Sequence, residues 1–474
     1  MTPQPEQYDV VVLGAGPAGE NVADRTRAAG LSTVIVESQL VGGECSYWAC
    51  IPSKALLRPG SALAHVRALP GAKQAVNGGL DTAAVLAYRD EFTSHWHDDG
   101  QVEWLRSAGI DLVRGHGRLA GERAVLVDDE RLLTARHAVA VCTGSRPALP
   151  HIPGLAEAHP WTSRDATSSA VVPPRLAVVG GGVVAVEMAA AWRSLGSEVT
   201  VLARGGRLLG RMESFAGELV AEGLREAGVD VRFHTEVTAL HRDGPVTLTL
   251  GGDGELVADQ VLYATGRLPR TDDIGMESIG LSPGNWLDVD DSCLVKTVQG
   301  GWLYAVGDVN HRNLLTHQGK YQARIAGAAI VARARGEQPD TSVRWGEYAA
   351  SADTAGPPQV VFTEPEAAAV GLTLDAAERA GLRVRAIDYE LGQVSGASLY
   401  TDGYQGRARI VLDLERRVVV GATFVGPAVA ELLHSATVAV VGEVPIDRLW
   451  HAVPAFPTIS EVWLRLLETC RDSG

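Results

Sequence analysis

Cysteine is scarce in this chain, with five residues in 474. A secreted scaffold stapled by disulfides needs a far denser set, so that class is excluded. No stretch has the apolar length that crosses a bilayer, and the N-terminus shows no basic region, apolar core or small-residue cleavage site. A cytoplasmic protein with no membrane partner is expected, in a reducing compartment where a disulfide is usually catalytic. Positive charge is also in deficit. A formal charge of −15, from 57 acidic and 42 basic side chains, argues against a nucleic-acid partner, because polyanions are met by clustered Lys and Arg. There is no second cysteine pair at ligand spacing, so no metal site is expected.

Length and apolar content are plentiful. A chain of 474 residues with 46% hydrophobic content is too long for one core and ample for several domains. Cys142, Cys293 and Cys470 lie singly and read as ordinary buried or surface thiols. Cys45 and Cys50 differ, because only four residues separate them inside Gly42-Gly43-Glu44-Cys45-Ser46-Tyr47-Trp48-Ala49-Cys50-Ile51-Pro52-Ser53-Lys54. This stretch reads as a redox-active disulfide, with two thiols in a helix as the alternative. Five steps of an ideal helix at about 1.5 Å put the two Cα atoms more than about 7 Å apart, beyond disulfide reach. A bridge therefore requires a distorted turn, with the regular helix starting near Ile51 so that Pro52 falls in its first turn.

Residues 8–13 form a short apolar run ending in Gly14-Ala15-Gly16-Pro17-Ala18-Gly19, followed by a helix-like stretch to Gly30. In such a strand, turn and helix, Gly14 permits the tight turn, Gly16 admits a pyrophosphate, and Gly19 lets helix and strand pack closely. The next strand, 31–36, ends in Glu37, where a carboxylate would accept from a ribose hydroxyl. Residues 55–109 read as mainly helical. The run 93–99 reads as a solvated helix end rather than a metal site, since His95 and His97 on a helix would face apart.

A second fingerprint follows a proline- and glycine-rich crossing at 150–154. Strand 176–179 leads into Gly180-Gly181-Gly182-Val183-Val184-Ala185, and a helix carries Glu187. The strand after it, 198–202, ends in Ala203-Arg204-Gly205-Gly206-Arg207 with no carboxylate for the 2′-hydroxyl of NAD. Arg204 and Arg207 suit the 2′-phosphate of NADP, so NADPH is the expected donor and NADH the second. Residues 297–308 read as a strand delivering Asp308 at its tip, where α/β sheets bind ligands. A helix is expected from about 320 to 335, and the segment from about 345 lacks a glycine fingerprint and reads as an interface domain.

Taken together, these stretches resemble the FAD-dependent pyridine nucleotide-disulfide oxidoreductases. The carriers are the first fingerprint with Glu37, Cys-x4-Cys-Ile-Pro-Ser-Lys, the second fingerprint, Ala264-Thr265-Gly266-Arg267, Ala305-Val306-Gly307-Asp308, and Val361-Phe362-Thr363-Glu364-Pro365-Glu366. The resemblance implies an α/β fold of two Rossmann-like domains and a C-terminal α+β dimerisation domain. It divides the chain into an FAD-binding domain at 1–155 with a return segment at 276–344, an NAD(P)-binding domain at 156–275, and an interface domain at 345–474. It implies a homodimer, FAD on Gly14, Gly16, Gly19, Glu37, Thr143, Gly144 and Asp308, and the nicotinamide dinucleotide on Gly180, Gly182 and Ala185. Cys50 would face the flavin and Cys45 the substrate, while Lys54 and Glu187 match the ion pair beside the flavin. A cation there favours anionic flavin and a thiolate.

The chain departs from this pattern at its C-terminus. The family's His-Pro is replaced by Phe456-Pro457, ahead of Thr458-Ile459-Ser460-Glu461, and His451 is out of register. A positioned acid–base group is worth about 10²–10⁴ in rate, so efficient reduction of a free disulfide is not expected. Tyr47 and Trp48 also place rings between the cysteines, either packing or offering a stacking surface, and Glu44 replaces a common threonine. The expected function is electron transfer from NAD(P)H through flavin and the Cys45–Cys50 disulfide to a small acceptor: a quinone, another planar acceptor or a metal ion. The alternatives are a true disulfide reductase, or dihydrolipoamide dehydrogenase-like enzyme, in which Glu461 with water handles protons, and a flavoprotein of low turnover acting in binding or assembly.

Overall fold

The computed structural model describes residues 5–252 and 254–472. They fall into two compact units, one from 5–51, 90–148 and 266–354, the other from 52–89, 149–265 and 355–472. In the first unit, β1 (Glu6–Leu13), α1 (Pro17–Ala28) and β2 (Thr33–Glu37) build a parallel pair around a crossover helix. Val10, Val11, Val12 and Leu13 are all buried, as expected of a strand covered on both faces. Around this pair a seven-stranded sheet runs in the order Asp111–Arg114, β2, β1, Arg131–Val141, Ala124–Val127, Gly117–Leu119, with Leu303–Ala305 parallel to Arg131–Val141. The strand expected over 297–308 is only these last three residues. Gly300 and Gly301 take positive φ of 90° and 64°, a turn geometry that ends extended pairing before them.

The second unit holds three sheets. A four-stranded parallel sheet orders Asp230–Arg232, Glu198–Leu202, Arg175–Val179 and Gln260–Tyr263, and the helix Val183–Ser194 follows its third strand. An antiparallel three-stranded sheet spans Val237–Arg242, Val246–Leu250 and Gly254–Ala258. The last sheet has five antiparallel strands, from Pro358–Val361 to Val384–Glu390 at its edges, with Val418–Gly426 buried throughout at its centre. The fold is thus mixed α/β, as the sequence implies. Among the described residues, no helix is long and apolar enough to cross a membrane.

Candidate active site

The first glycine turn is fixed by backbone contacts. Gly14 has φ +98°, and a Cβ there would sit 2.6 Å from the Cys142 carbonyl oxygen. At Gly19 a Cβ would lie 1.9 Å from the Gly14 carbonyl oxygen, so α1 can pack on β1 only with glycine at that position. Gly16 is different, because a Cβ there would meet nothing within 4 Å. Open space at the second glycine, at the N-terminus of α1, is the cradle a pyrophosphate requires. Glu37 ends β2 and accepts the Ala15 N–H at 2.7 Å and the Gln39 N–H at 2.7 Å. Each oxygen keeps a lone pair for a ribose hydroxyl.

Asp308 follows the short strand Leu303–Ala305. Ser145 donates to its carboxylate at 2.5 Å, and the Arg267 guanidinium lies 3.8 Å away. Burial pushes its pKa above the usual carboxylate range, opposed by Ser145 and Arg267. Thr143 donates to the Arg270 carbonyl at 2.8 Å, Gly144 has φ +72°, and Arg270 reaches Glu44 at 3.2 Å. The glycine turn, the Glu37 carboxylate and the part-buried Asp308 thus share one unit, and this donor set fits FAD.

The cysteines follow directly. α2 (Gly43–Tyr47) starts against the glycine turn, where a Cβ on Gly43 would lie 2.8 Å from Gly16 Cα. It stops at Trp48, φ −137° and ψ 0°, and α3 (Cys50–Ala68) begins two residues later. The helix is therefore broken between the two cysteines, with Pro52 in the first turn of α3, as disulfide reach demands. Cys45 and Cys50 are not bridged in this structure. Cys50 Sγ lies 3.2 Å from the Thr316 hydroxyl. The neighbouring Cys50 and burial hold the Cys45 thiol far above its ordinary pKa, while Thr316 and Lys320 pull the other way.

Tyr47 is 1% exposed, its hydroxyl 3.4 Å from the His97 carbonyl, and Trp96 Nε1 donates to the Tyr47 carbonyl at 3.1 Å. Tyr47 therefore packs, and of the two rings between the cysteines only Trp48 is partly open to solvent. The 93–99 run corrects its reading as a helix end. Ser94, His95 and Trp96 take left-handed φ of 49°, 52° and 57°, a turn that Trp96 anchors to Tyr47. Asp98 is buried and accepts from Val41 N–H at 2.7 Å and from Arg114 at 2.5 Å.

In the second unit Gly180 has φ +140°, with a Cβ position 2.4 Å from the Ala264 carbonyl oxygen, and Gly182 again opens onto free space. Ala185 is buried in the first turn of the Val183–Ser194 helix. This turn repeats the first cradle and fits a second dinucleotide. Arg204 and Arg207 are exposed beyond the strand end, Arg207 donating to the Gly210 carbonyl at 3.0 Å. Glu187 is 3% exposed and accepts from Lys54 Nζ at 2.7 Å and from the Phe362 N–H at 3.0 Å. Glu461 is buried, with one oxygen on Arg465 at 2.7 Å and Oε2 without a hydrogen-bond partner among the described residues. Phe456 is 72% exposed and Val453 86%, and His451 is exposed as well.

Sequence reasoning did not single out Thr316, Ser145 or Phe362. Phe362 lies inside a motif it quoted and Ser145 directly follows Thr143 and Gly144, so adjacency was the available signal. The helix of Thr316 runs over Thr316–Ala334, a turn earlier than expected, and its N-cap Leu315 makes no side-chain capping bond that would have marked the start.

A family model described as pyridine nucleotide-disulphide oxidoreductase matches residues 8–334, and the dimerisation domain of that family matches 357–466. A dihydrolipoyl dehydrogenase of Haloferax volcanii is 31% identical over 479 residues, covering 97% of this chain and 95% of the relative. A mercuric reductase of Staphylococcus aureus is 29% identical over 460 residues, 96% of this chain and 81% of the relative. The solved structure of the HOCl-induced flavoprotein disulfide reductase RclA from Escherichia coli superposes with TM-score 0.82 at 22% identity, covering 97% of this chain and 99% of that one. At that identity the likeness speaks to the fold.

Proposed function

Since the chain belongs to the pyridine nucleotide-disulphide oxidoreductase family, an FAD- and NAD(P)H-dependent group of enzymes, we propose that Cys45 and Cys50 are its dithiol–disulfide couple and deliver electrons to a small acceptor. Bound FAD supplies the two-electron relay between nicotinamide and cysteines. Gly14, Gly16, Gly19, Glu37, Thr143, Gly144 and Asp308 would hold it, in the parts of the chain at 1–155 and 276–344. Gly180, Gly182 and Ala185, in 156–275, would hold the nicotinamide dinucleotide. Two arginines and no carboxylate beyond Glu198–Leu202 support NADPH over NADH. The segment 345–474 would form the homodimer interface, and the exposed Val453 and Phe456 suit such a surface.

The chemistry of the cysteines follows from their surroundings. Thr316 sits at Cys50 and steadies a thiolate by hydrogen bonding. Cys45 bears the exchange with the acceptor. Lys54, held by Glu187, is the cation assigned to favour negative charge on reduction. The observation that carries the choice of acceptor is Phe456, an exposed apolar ring where the family pattern has an imidazole. Without that acid, acceptors that need no protonated thiol leaving group are favoured: a metal ion, a quinone or another planar acceptor. The mercuric reductase relative is in keeping with the first.

The second reading, reduction of a disulfide substrate, is favoured by Glu461 Oε2, a buried carboxylate oxygen with no hydrogen-bond partner among the described residues. A steady-state anaerobic screen of metal ions, quinones and disulfides with both nucleotides decides between them. Turnover at least tenfold faster with a metal ion or quinone supports the first reading, and a disulfide as the fastest acceptor overturns it.

A further inference from the structure

Asp353 carries a buried carboxylate that the proposed electron path does not use, its side chain 0% exposed. Burying a carboxylate is costly unless it is paired and hydrogen-bonded, and here the partners come from one helix and one turn. Oδ1 accepts from Gln318 Nε2 at 2.9 Å and Oδ2 from Gln322 Nε2 at 2.9 Å, while Arg312 Nε lies 3.4 Å from Oδ2 and supplies the countercharge. Gln318 and Gln322 stand one turn apart on the same face of the Thr316–Ala334 helix. That helix opens with Thr316, whose hydroxyl lies 3.2 Å from Cys50 Sγ.

The other side of this network reaches the turn that carries Asp308. Gln322 Oε1 accepts the Gly307 N–H at 2.9 Å and Asn310 Nδ2 at 2.8 Å. A carboxylate can only accept, so Asp353 obliges Gln322 to turn its nitrogen to the carboxylate and its oxygen to Gly307. A Cβ on Gly319 would lie 3.5 Å from the Gly307 Cα, so the turn and the helix are in direct contact. Asn313, between them in sequence, donates to the Asp353 backbone carbonyl at 2.8 Å. We infer that Asp353 is a positioning residue: through Gln318 it holds Thr316 at Cys50, and through Gln322 it holds the Gly307–Asp308 turn, so that the sulfur and the flavin seat keep a fixed spacing. This rests on the reading of Cys50 as the flavin-facing thiol and of Asp308 as part of the FAD site.

The test uses the flavin-loaded Cys45→Ser enzyme, in which the absorption band between the Cys50 thiolate and oxidised flavin is followed against pH. Adding Gln318→Leu is expected to move the midpoint of the band upward by about one pH unit, the scale of one hydrogen bond to the thiolate, because Thr316 is released from Cys50. With Thr316→Val already present, Gln318→Leu adds no further shift. Gln322→Leu leaves the midpoint in place and weakens FAD binding about tenfold. Asp353→Asn, whose one amide oxygen satisfies only one of the two glutamines, shows at least one of these two losses. A Gln318→Leu shift that persists undiminished beside Thr316→Val overturns the proposal. So do Gln318→Leu and Asp353→Asn variants with the parent's midpoint and FAD affinity, or a downward shift in Asp353→Asn, the sign that loss of the buried charge alone would give. The reading beneath it fails separately, if the Cys45→Ser parent shows no band.

Discussion

Lys54 and Glu187 are joined at 2.7 Å, and the second Glu187 oxygen is taken by the Phe362 N–H at 3.0 Å. The carboxylate is buried while the Lys54 side chain is 36% exposed, so solvent shares in the pairing. Removing the cation strands a buried charge, and we expect Lys54→Met to cost about 2 kcal/mol, below the usual range for a fully buried pair. Thermal denaturation checks this. Adding Glu187→Leu to Lys54→Met is expected to recover part of the loss, and a further loss in the double variant would count against the pairing.

Gly16 and Gly19 separate cofactor binding from folding. Gly16→Ala meets open space, so its melting temperature without flavin should match wild type, while flavin absorbance per protein falls sharply because the methyl fills the pyrophosphate seat. Gly19→Ala drives a methyl into the Gly14 carbonyl and should lower both. A Gly16→Ala protein that retains full flavin would remove the assigned cradle.

Arg204 and Arg207 give an expected nucleotide preference. A charge-assisted bond to a phosphate is worth about 1.5–3 kcal/mol, so replacing both by alanine should lower kcat/KM for NADPH by about tenfold or more and leave NADH unchanged. Parallel losses for the two nucleotides in steady-state kinetics would refute a 2′-phosphate role.

His65 gives a pH-dependent stability. Its Nε2 lies 3.2 Å from Glu364, which also accepts from Ser61 at 2.5 Å. The hydrogen bond to Glu364 raises the His65 pKa, against burial. A folded-state pKa above the unfolded value of about 6.5 gives stability that is fully present below that pH and lost as pH rises through the folded pKa. His65→Gln should thus lower the melting temperature more in mildly acidic buffer than in mildly alkaline buffer. An equal drop in both would show that the imidazolium contributes nothing.

Both glycine turns and the break between Cys45 and Cys50 were legible in the sequence, because each is dictated by local geometry. Gly14 and Gly180 need positive φ, and a bridge over four residues cannot form on an unbroken helix. What was not legible is held by contacts between distant residues. Thr316 meets Cys50 across 266 positions and Ser145 meets Asp308 across 163, and no local pattern announces such pairs. The left-handed turn at Ser94, His95 and Trp96 was hidden for the same reason, since its anchor is the Tyr47 carbonyl.

The claim that Cys45 and Cys50 form the redox couple is tested most directly by adding NADPH anaerobically to the flavin-loaded enzyme and recording its absorption spectrum. A long-wavelength thiolate-to-flavin band is expected in wild type once NADPH has opened the disulfide, and in Cys45→Ser before NADPH is added, because without a disulfide the electrons stay on the flavin; it is expected to be absent in Cys50→Ser. No band in wild type, or an unchanged band in Cys50→Ser, would contradict the account.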